Sequence, residues 1–220
     1  MIDIHTHIIP NVDDGSKSLE ISRELLNLEL KNNVKNVFLT PHQNEKNLNK
    51  ELIENKFLEL KENVKDIDIN LYLGSEIYYY DNLSEDLKNN RIITMNNTKY
   101  LLIEFSTRYD VGVIDKLYDL KVLGYIPIVA HIERYPYLEP NDYDKIHNIG
   151  CMIQVNTKSF NEKIYKKCIK YLLKKNYIDF IGTDCHDLDK RSVEYNLEKI
   201  IKKHSDFLKK IEENESLLGI

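Results

Sequence analysis

Short apolar runs alternate with longer amphipathic stretches along this chain. The apolar runs at residues 2–5, 36–40, 70–74, 100–105, 126–130, 152–156 and 178–182 predict strands. The stretches 18–31, 48–65, 113–123, 141–149, 161–175 and 191–204 predict helices, with a last helical segment near 206–217. In the first of these, Leu19, Ile21, Leu25, Leu26 and Leu28 recur at helical spacing, with Ser16 or Ser18 as N-cap. The run from Tyr100 to Phe105 is apolar without alternation apart from Glu104, as expected of a strand covered on both faces. Strands alternating with helices predict a parallel sheet. Seven such units close into a barrel more readily than they form an open sheet, although the pattern alone leaves the open sheet standing. There is no internal repeat, no Gly/Ser or Pro linker and no low-complexity tail, so residues 1–220 are read as one domain.

Chemistry gathers at the ends of these strands. His5 and His7 end the first and, two residues apart on a strand, point the same way. His42 follows the second strand, Glu76 the third, and Glu104 ends the fourth. His131 follows the fifth, and Asp184 and His186 follow the seventh. In a parallel barrel all strand C-termini lie on one face, which carries the active site. Asp14, in the loop Val12-Asp13-Asp14-Gly15, leans over the same face, and Asp13 competes with it for that role or shapes the turn. Asp3 shares the parity of His5 and His7 but sits deeper, as a partner to a His ligand. His147 and His204, on amphipathic helices, are ordinary histidines. Nine candidate ligands exceed the needs of one ion, and a mixed His/carboxylate set suits Mn, Fe or Zn. Glu104, central in the set, is the expected bridging carboxylate. Closely spaced metals favour hydrolysis, in particular in-line phosphoryl displacement.

Composition narrows the partners. A net charge of -5 argues against a nucleic-acid groove, which usually leaves a basic footprint. The basic stretch at 163–175 reads as a solvated helix face. Three cysteines without paired spacing read as reduced thiols. There is no signal-peptide pattern and no apolar run long enough to span a bilayer, so the expected location is the cytoplasm, without membrane insertion. Cys185, between Asp184 and His186, faces away into packing. Its spacer to Arg191 lacks the glycines that let backbone amides wrap a phosphate, so no cysteine nucleophile is expected.

The motifs IDIHTH, VDDG, TPH, GSEIYY, LIEFS, AHIERY and TDCHDLDKR, in this order and over essentially the whole chain, resemble the PHP (polymerase and histidinol phosphatase) superfamily. More closely, they resemble its bacterial protein-tyrosine phosphatases of capsule and exopolysaccharide loci, the CpsB-like group. The resemblance implies a distorted TIM-like (β/α)7 barrel, the PHP fold, holding three divalent metal ions: manganese first, with iron, zinc or magnesium as alternatives. It assigns His5, His7, Glu104 and Asp184 to the first ion. His42, His131 and the bridging Glu104 go to the second, and Asp14, Glu76 and His186 to the third. Arg134 and Arg191 map to the phosphate-binding arginines, although the prolines that often follow the second are absent here. Asp14 is also a candidate proton donor to the leaving group, and Tyr78 and Tyr79 are candidates to line a slot for an aromatic ring. The implied substrate is a phosphotyrosine protein, a membrane-associated bacterial tyrosine autokinase. The rival readings are a small-molecule phosphatase acting on a compound such as histidinol phosphate, a nuclease-like phosphodiesterase and a non-catalytic regulatory partner.

Overall fold

The computed structural model describes residues 1–195, 197, 202 and 204–220. Nine parallel strand segments make seven barrel staves among these residues. β1 (Ile2–Thr6) pairs with β2 (Asn36–Leu39), and β2 pairs with β4 (Asn70–Leu73). Two staves are broken. β2 continues after Thr40-Pro41 as β3 (His42–Gln43), and β4 continues after Gly74-Ser75 as β5 (Glu76–Tyr78). Pro41 has no N–H for the ladder, which confines it to such an interruption. β3 pairs with β5, and the order runs on through β6 (Tyr100–Glu104), β7 (Ile126–Val129), β8 (Met152–Asn156) and β9 (Phe180–Gly182). The ring closes where Asp184 N–H donates to His5 C=O at 2.8 Å and His7 N–H to Cys185 C=O at 2.8 Å.

Helices α1 (Leu19–Lys31), α2 (Lys50–Asn63), α3 (Leu83–Lys88), α4 (Val113–Val122), α5 (Pro140–Asn148), α6 (Lys166–Lys175) and α7 (Ser205–Glu215) connect or follow the staves. Ser18 caps α1, its hydroxyl accepting from Ile21 N–H. α5 opens on Pro140 with a reciprocal Glu139/Asp142 capping box. Apolar side chains from helices and strands bury two connected cores, one around β6–β9 and one around α1, α2 and β2.

All seven predicted strands are present, and the parallel barrel replaces the open-sheet alternative. One predicted helix needs correction. The helix expected over 161–175 begins at Lys166, because Lys158–Asn161 and Lys163–Tyr165 form short 3₁₀ turns with extended Glu162 between them. The helix expected over 191–204 falls in part on residues outside the described ones, and 192–195 have no regular structure. α3, β3 and β5 were not predicted.

Candidate metal centre and phosphate cleft

The strand order brings the histidines and carboxylates to one end of the barrel. His5 Nε2 lies 3.2 Å from His7 Nε2, and each lies 3.2 Å from Glu76 Oε2. Asp184 Oδ1 is 3.6 and 3.5 Å from the same two nitrogens. Ligands about 2.1 Å from a tetrahedral ion are separated by about 3.4 Å, so this quartet has the spacing of a metal cage. Two glycines allow it. A Cβ on Gly182 would stand 2.5 Å from His5 Cβ, and one on Gly15 would stand 2.2 Å from the His7 carbonyl oxygen. Two of the strand-end residues, His131 (φ 30°) and Asp184 (φ 55°), are in the left-handed region, a costly conformation concentrated at functional sites.

The outer nitrogen of each of three histidines is committed. His7 Nδ1 donates to Asp13 Oδ2 at 2.7 Å, His5 Nδ1 to Gln154 Oε1 at 3.2 Å, and His186 Nδ1 to the Asp184 carbonyl at 2.8 Å. All three partners are acceptors, so each Nε2 is turned toward carboxylate oxygens, where it can take up a metal ion or a proton. His186 Nε2 faces Asp14 Oδ1 at 3.4 Å, and neither it nor the buried Glu76 Oε2 makes a well-aligned hydrogen bond. Lone pairs facing carboxylates repel unless a cation or a proton stands between them. Burial by itself would lower the His7 pKa, but the Asp13 and Glu76 carboxylates outweigh it and hold the ring well above the usual histidine range. His186 goes the other way, pushed down to about 4 by burial and by the charge of His7. This donor set fits divalent metal ions.

The grouping of these side chains differs from the expectation. Glu76, rather than Glu104, is the carboxylate common to two of the candidate ligand groups. Its Oε2 belongs to the His5/His7/Asp184 group and also lies 3.0 Å from His42 Nδ1, while its Oε1 lies 2.9 Å from His131 Nε2. Glu104 joins only the His42/Glu76 group, with Oε1 3.7 Å from His131 Nε2. Burial, followed by repulsion from Glu76, raises its pKa. Asp14, His42 and His186 form a third group; His7 also lies near it, but both its nitrogens are already directed elsewhere. His42 turns Nδ1 to Glu76 and Nε2 to Asp14, so it stands between the second and third groups.

Arg134 and Arg191 flank a cleft of about 150 Å3 that also holds Asn156, Thr183 and Asp184. Arg134 Nη1 lies 2.7 Å from Asp184 Oδ2, and Arg191 Nη2 lies 2.9 Å from Asp14 Oδ2. Each guanidinium is therefore held by a candidate metal ligand while its remaining donors line the cleft, as phosphate recognition requires. Burial would raise the Asp14 pKa, but His186 and Arg191 pull it below the usual carboxylate value. An ionised Asp14 suits a place in a cation-binding group.

Tyr78, 40% exposed, lines the opening beside His42 and Glu104. Tyr79 does not. It packs on Phe105, with rings 5.5 Å apart, beneath the Lys116 ammonium. Asp3 accepts from the His5 and Thr183 backbone amides, not from an imidazole. Asp13 both orients His7 and accepts from Gly15 N–H to shape the turn. Cys185 and Arg191 have the Cys-x5-Arg count of a cysteine-dependent phosphate loop, but Cys185 is fully buried in an apolar cluster. Burial, then the Glu29 and Asp3 carboxylates, push its thiol well up, which removes it as a nucleophile.

The sequence reading passed over Gln154 and Asn156. Gln154 Oε1 also accepts from His131 N–H at 2.6 Å, and Asn156 Nδ2 donates to Asp184 Oδ2 at 3.1 Å. Two polar residues at strand parity in an otherwise buried run were the available signal.

A parallel seven-stave barrel with clustered histidines and carboxylates at the C-terminal ends of its strands defines a metal-dependent hydrolase of the PHP type. The pattern of the capsular polysaccharide synthesis family CpsB/CapC matches residues 1–214, and the chain belongs to that family. It is 36% identical over 206 residues to the tyrosine-protein phosphatase CpsB of Streptococcus pneumoniae, covering 87% of this chain and 85% of that one. Among solved structures it superposes, with a TM-score of 0.90 and 27% identity, on one from the study of YwqE from Bacillus subtilis and CpsB from Streptococcus pneumoniae, described as unique metal-dependent tyrosine phosphatases. That match covers 99% of this chain and 94% of the other. A histidinol phosphate phosphatase from Lactococcus lactis shares the fold at a TM-score of 0.58 and 13% identity, covering 95% of this chain and 93% of that one.

Proposed function

We propose that this protein hydrolyses phosphotyrosine on protein substrates in a metal-dependent reaction. The observation that carries the site assignment is the set of histidines whose outer nitrogens are committed to acceptors while their Nε2 atoms converge on carboxylates. His5, His7, Glu76 and Asp184 would hold one ion, His42, His131, Glu76 and Glu104 a second, and Asp14 and His186, with His42 leaning toward them, a third. Manganese leads the expected metals, ahead of iron, zinc and magnesium. When bound, such ions supply a nucleophile near neutral pH and neutralise phosphoryl oxygens.

The chain's own residues do the rest. Arg134 and Arg191 fork onto the phosphate oxygens and orient the ester for in-line attack. Asp13 and Gln154 keep His7 and His5 in the tautomer that presents Nε2. Tyr78 stands at the opening where a substrate ring enters. The leaving phenol has a pKa of about 10, so its departure needs less protonation than that of an alkoxide.

The substrate we favour is a membrane-associated tyrosine kinase of a polysaccharide-export locus, met in the cytoplasm by a single-domain enzyme. No described helix is long and apolar enough to cross a membrane. The test is metal analysis of the purified protein together with turnover of a phosphotyrosine peptide and of histidinol phosphate, with and without chelator. Bound divalent metal, chelator-sensitive turnover and a kcat/KM favouring the peptide are expected. Chelator-insensitive turnover, or a preference for histidinol phosphate, would overturn the reading.

A further inference from the structure

The cleft does not end at Arg134. Arg134 and Tyr165 also line a larger cavity of about 750 Å3 between the start of α5 and the start of α6. This is in the range of ligand pockets, roughly 300–1,000 Å3, and far larger than a phosphate group needs. Its walls include Tyr135, Leu138, Tyr143 and Tyr171. Ile164, also on its lining, is 80% exposed, an unusual place for a large aliphatic side chain next to a cavity. The segment carrying Ile164 and Tyr165 is the one that forms a 3₁₀ turn instead of the expected helix.

A second observation points to a ligand. Glu133 is 5% exposed and lines the cavity. Its carboxylate accepts from Asn156 N–H at 3.1 Å on Oε1 and is held by the Ser159 side chain, while Oε2 makes no well-aligned hydrogen bond among the described residues. A buried acceptor left open beside aromatic walls suits an aromatic group that carries an O–H or N–H.

We propose that this cavity is a specificity subsite that takes an aromatic side chain flanking the phosphotyrosine of a peptide substrate. The proposal rests on the phosphatase reading above. Arg134 and Tyr165 form the wall between the two compartments, so a peptide whose phosphate lies on Arg134 places a neighbouring residue in the larger one. Tyrosine and tryptophan combine the required surface with a donor for Glu133.

The experiment measures kcat/KM on the metal-loaded enzyme for phosphotyrosine peptides carrying Tyr, Trp, Gly or Asp at each of the three positions on either side. At one flanking position Tyr or Trp should exceed Gly by about tenfold, the discrimination that modest pocket contacts supply. The variant Ile164→Asp, at an exposed position that does not threaten the fold, should collapse the ratio between aromatic and Gly peptides, and Ile164→Leu should keep it. A flat peptide profile, or an aromatic preference that survives Ile164→Asp unchanged, overturns the subsite and leaves the phosphatase reading intact. Failure of the parent enzyme to turn over even p-nitrophenyl phosphate overturns both.

Discussion

Gly182→Ala tests whether the metal cage depends on how closely the last strand approaches the first. The added methyl would stand 2.5 Å from His5 Cβ and 3.2 Å from His5 N. Ordinary carbon contacts lie at about 3.5–4.0 Å, so one of the two strands must retreat by about 1 Å. Neither atom is the tip of a flexible side chain, so the movement is carried into the His5 ring, whose Nε2 sits 3.2 Å from both His7 Nε2 and Glu76 Oε2. A misplacement of about 1 Å at a reacting centre costs on the order of a hundredfold in rate. That corresponds to about 2.7 kcal/mol of barrier. Overpacking adds about 1–3 kcal/mol of lost stability. Turnover of a phosphotyrosine substrate at saturating metal should fall by about a hundredfold, with the far-UV circular dichroism retained and the Tm lowered. Activity within threefold of the parent, with full metal content, would refute the claim that this contact sets the geometry.

Thiol alkylation should leave turnover unchanged, because Cys185 is buried, and Cys185→Ser should lower Tm without abolishing activity; thiol titration alongside the assay checks this. Asp13→Asn removes the anionic partner of His7 and should weaken metal affinity by about 10–100-fold in a competition titration, with a smaller loss of kcat at saturating metal. Glu76→Gln should lower bound metal more than Glu104→Gln, and equal losses would remove Glu76 from the shared position. Burial and the neighbouring Asp3 hold the Glu29 carboxyl well above its ordinary 4.5, so the folded state keeps a proton that the unfolded chain releases. Stability conferred by this group is therefore present below pH 4.5 and lost as pH rises toward the folded pKa, at no more than about 1.4 kcal/mol per pH unit. Glu29→Gln should flatten that part of the denaturation profile.

The fold was legible where periodicity ran for four or more residues. The apolar run at 152–156 coincides with β8, and that at 36–40 overruns β2 by one residue. β3 and β5 span two and three residues, too few for a period to register, and they are staves only because β2 and β4 break just before them. α3 has six residues, under two turns. The start of α6 was placed early because the stretch from Asn161 onward has helical composition while its backbone follows the cavity wall.

The site was legible as a set but not as an arrangement. Counting His and carboxylate at strand ends finds the side chains that gather in the candidate site, because parallel strands of a barrel end on one face. It gives no depth, and so it placed Glu104 at the centre. The break at Gly74-Ser75 instead brings Glu76 inward, to 1% exposure, while Glu104 keeps an edge at the opening. Nor does it reveal that closing the barrel and building the site are one event. Asp3 accepts from the backbone N–H of both His5 and Thr183, tying the first strand to the residue after the last. Asp184 then donates its own N–H to the His5 carbonyl and turns its side chain into the His5/His7 quartet. The hydrogen bonds that close the ring thus fix the positions of three candidate metal ligands, and any change that opens the seam between β1 and β9 disperses them together.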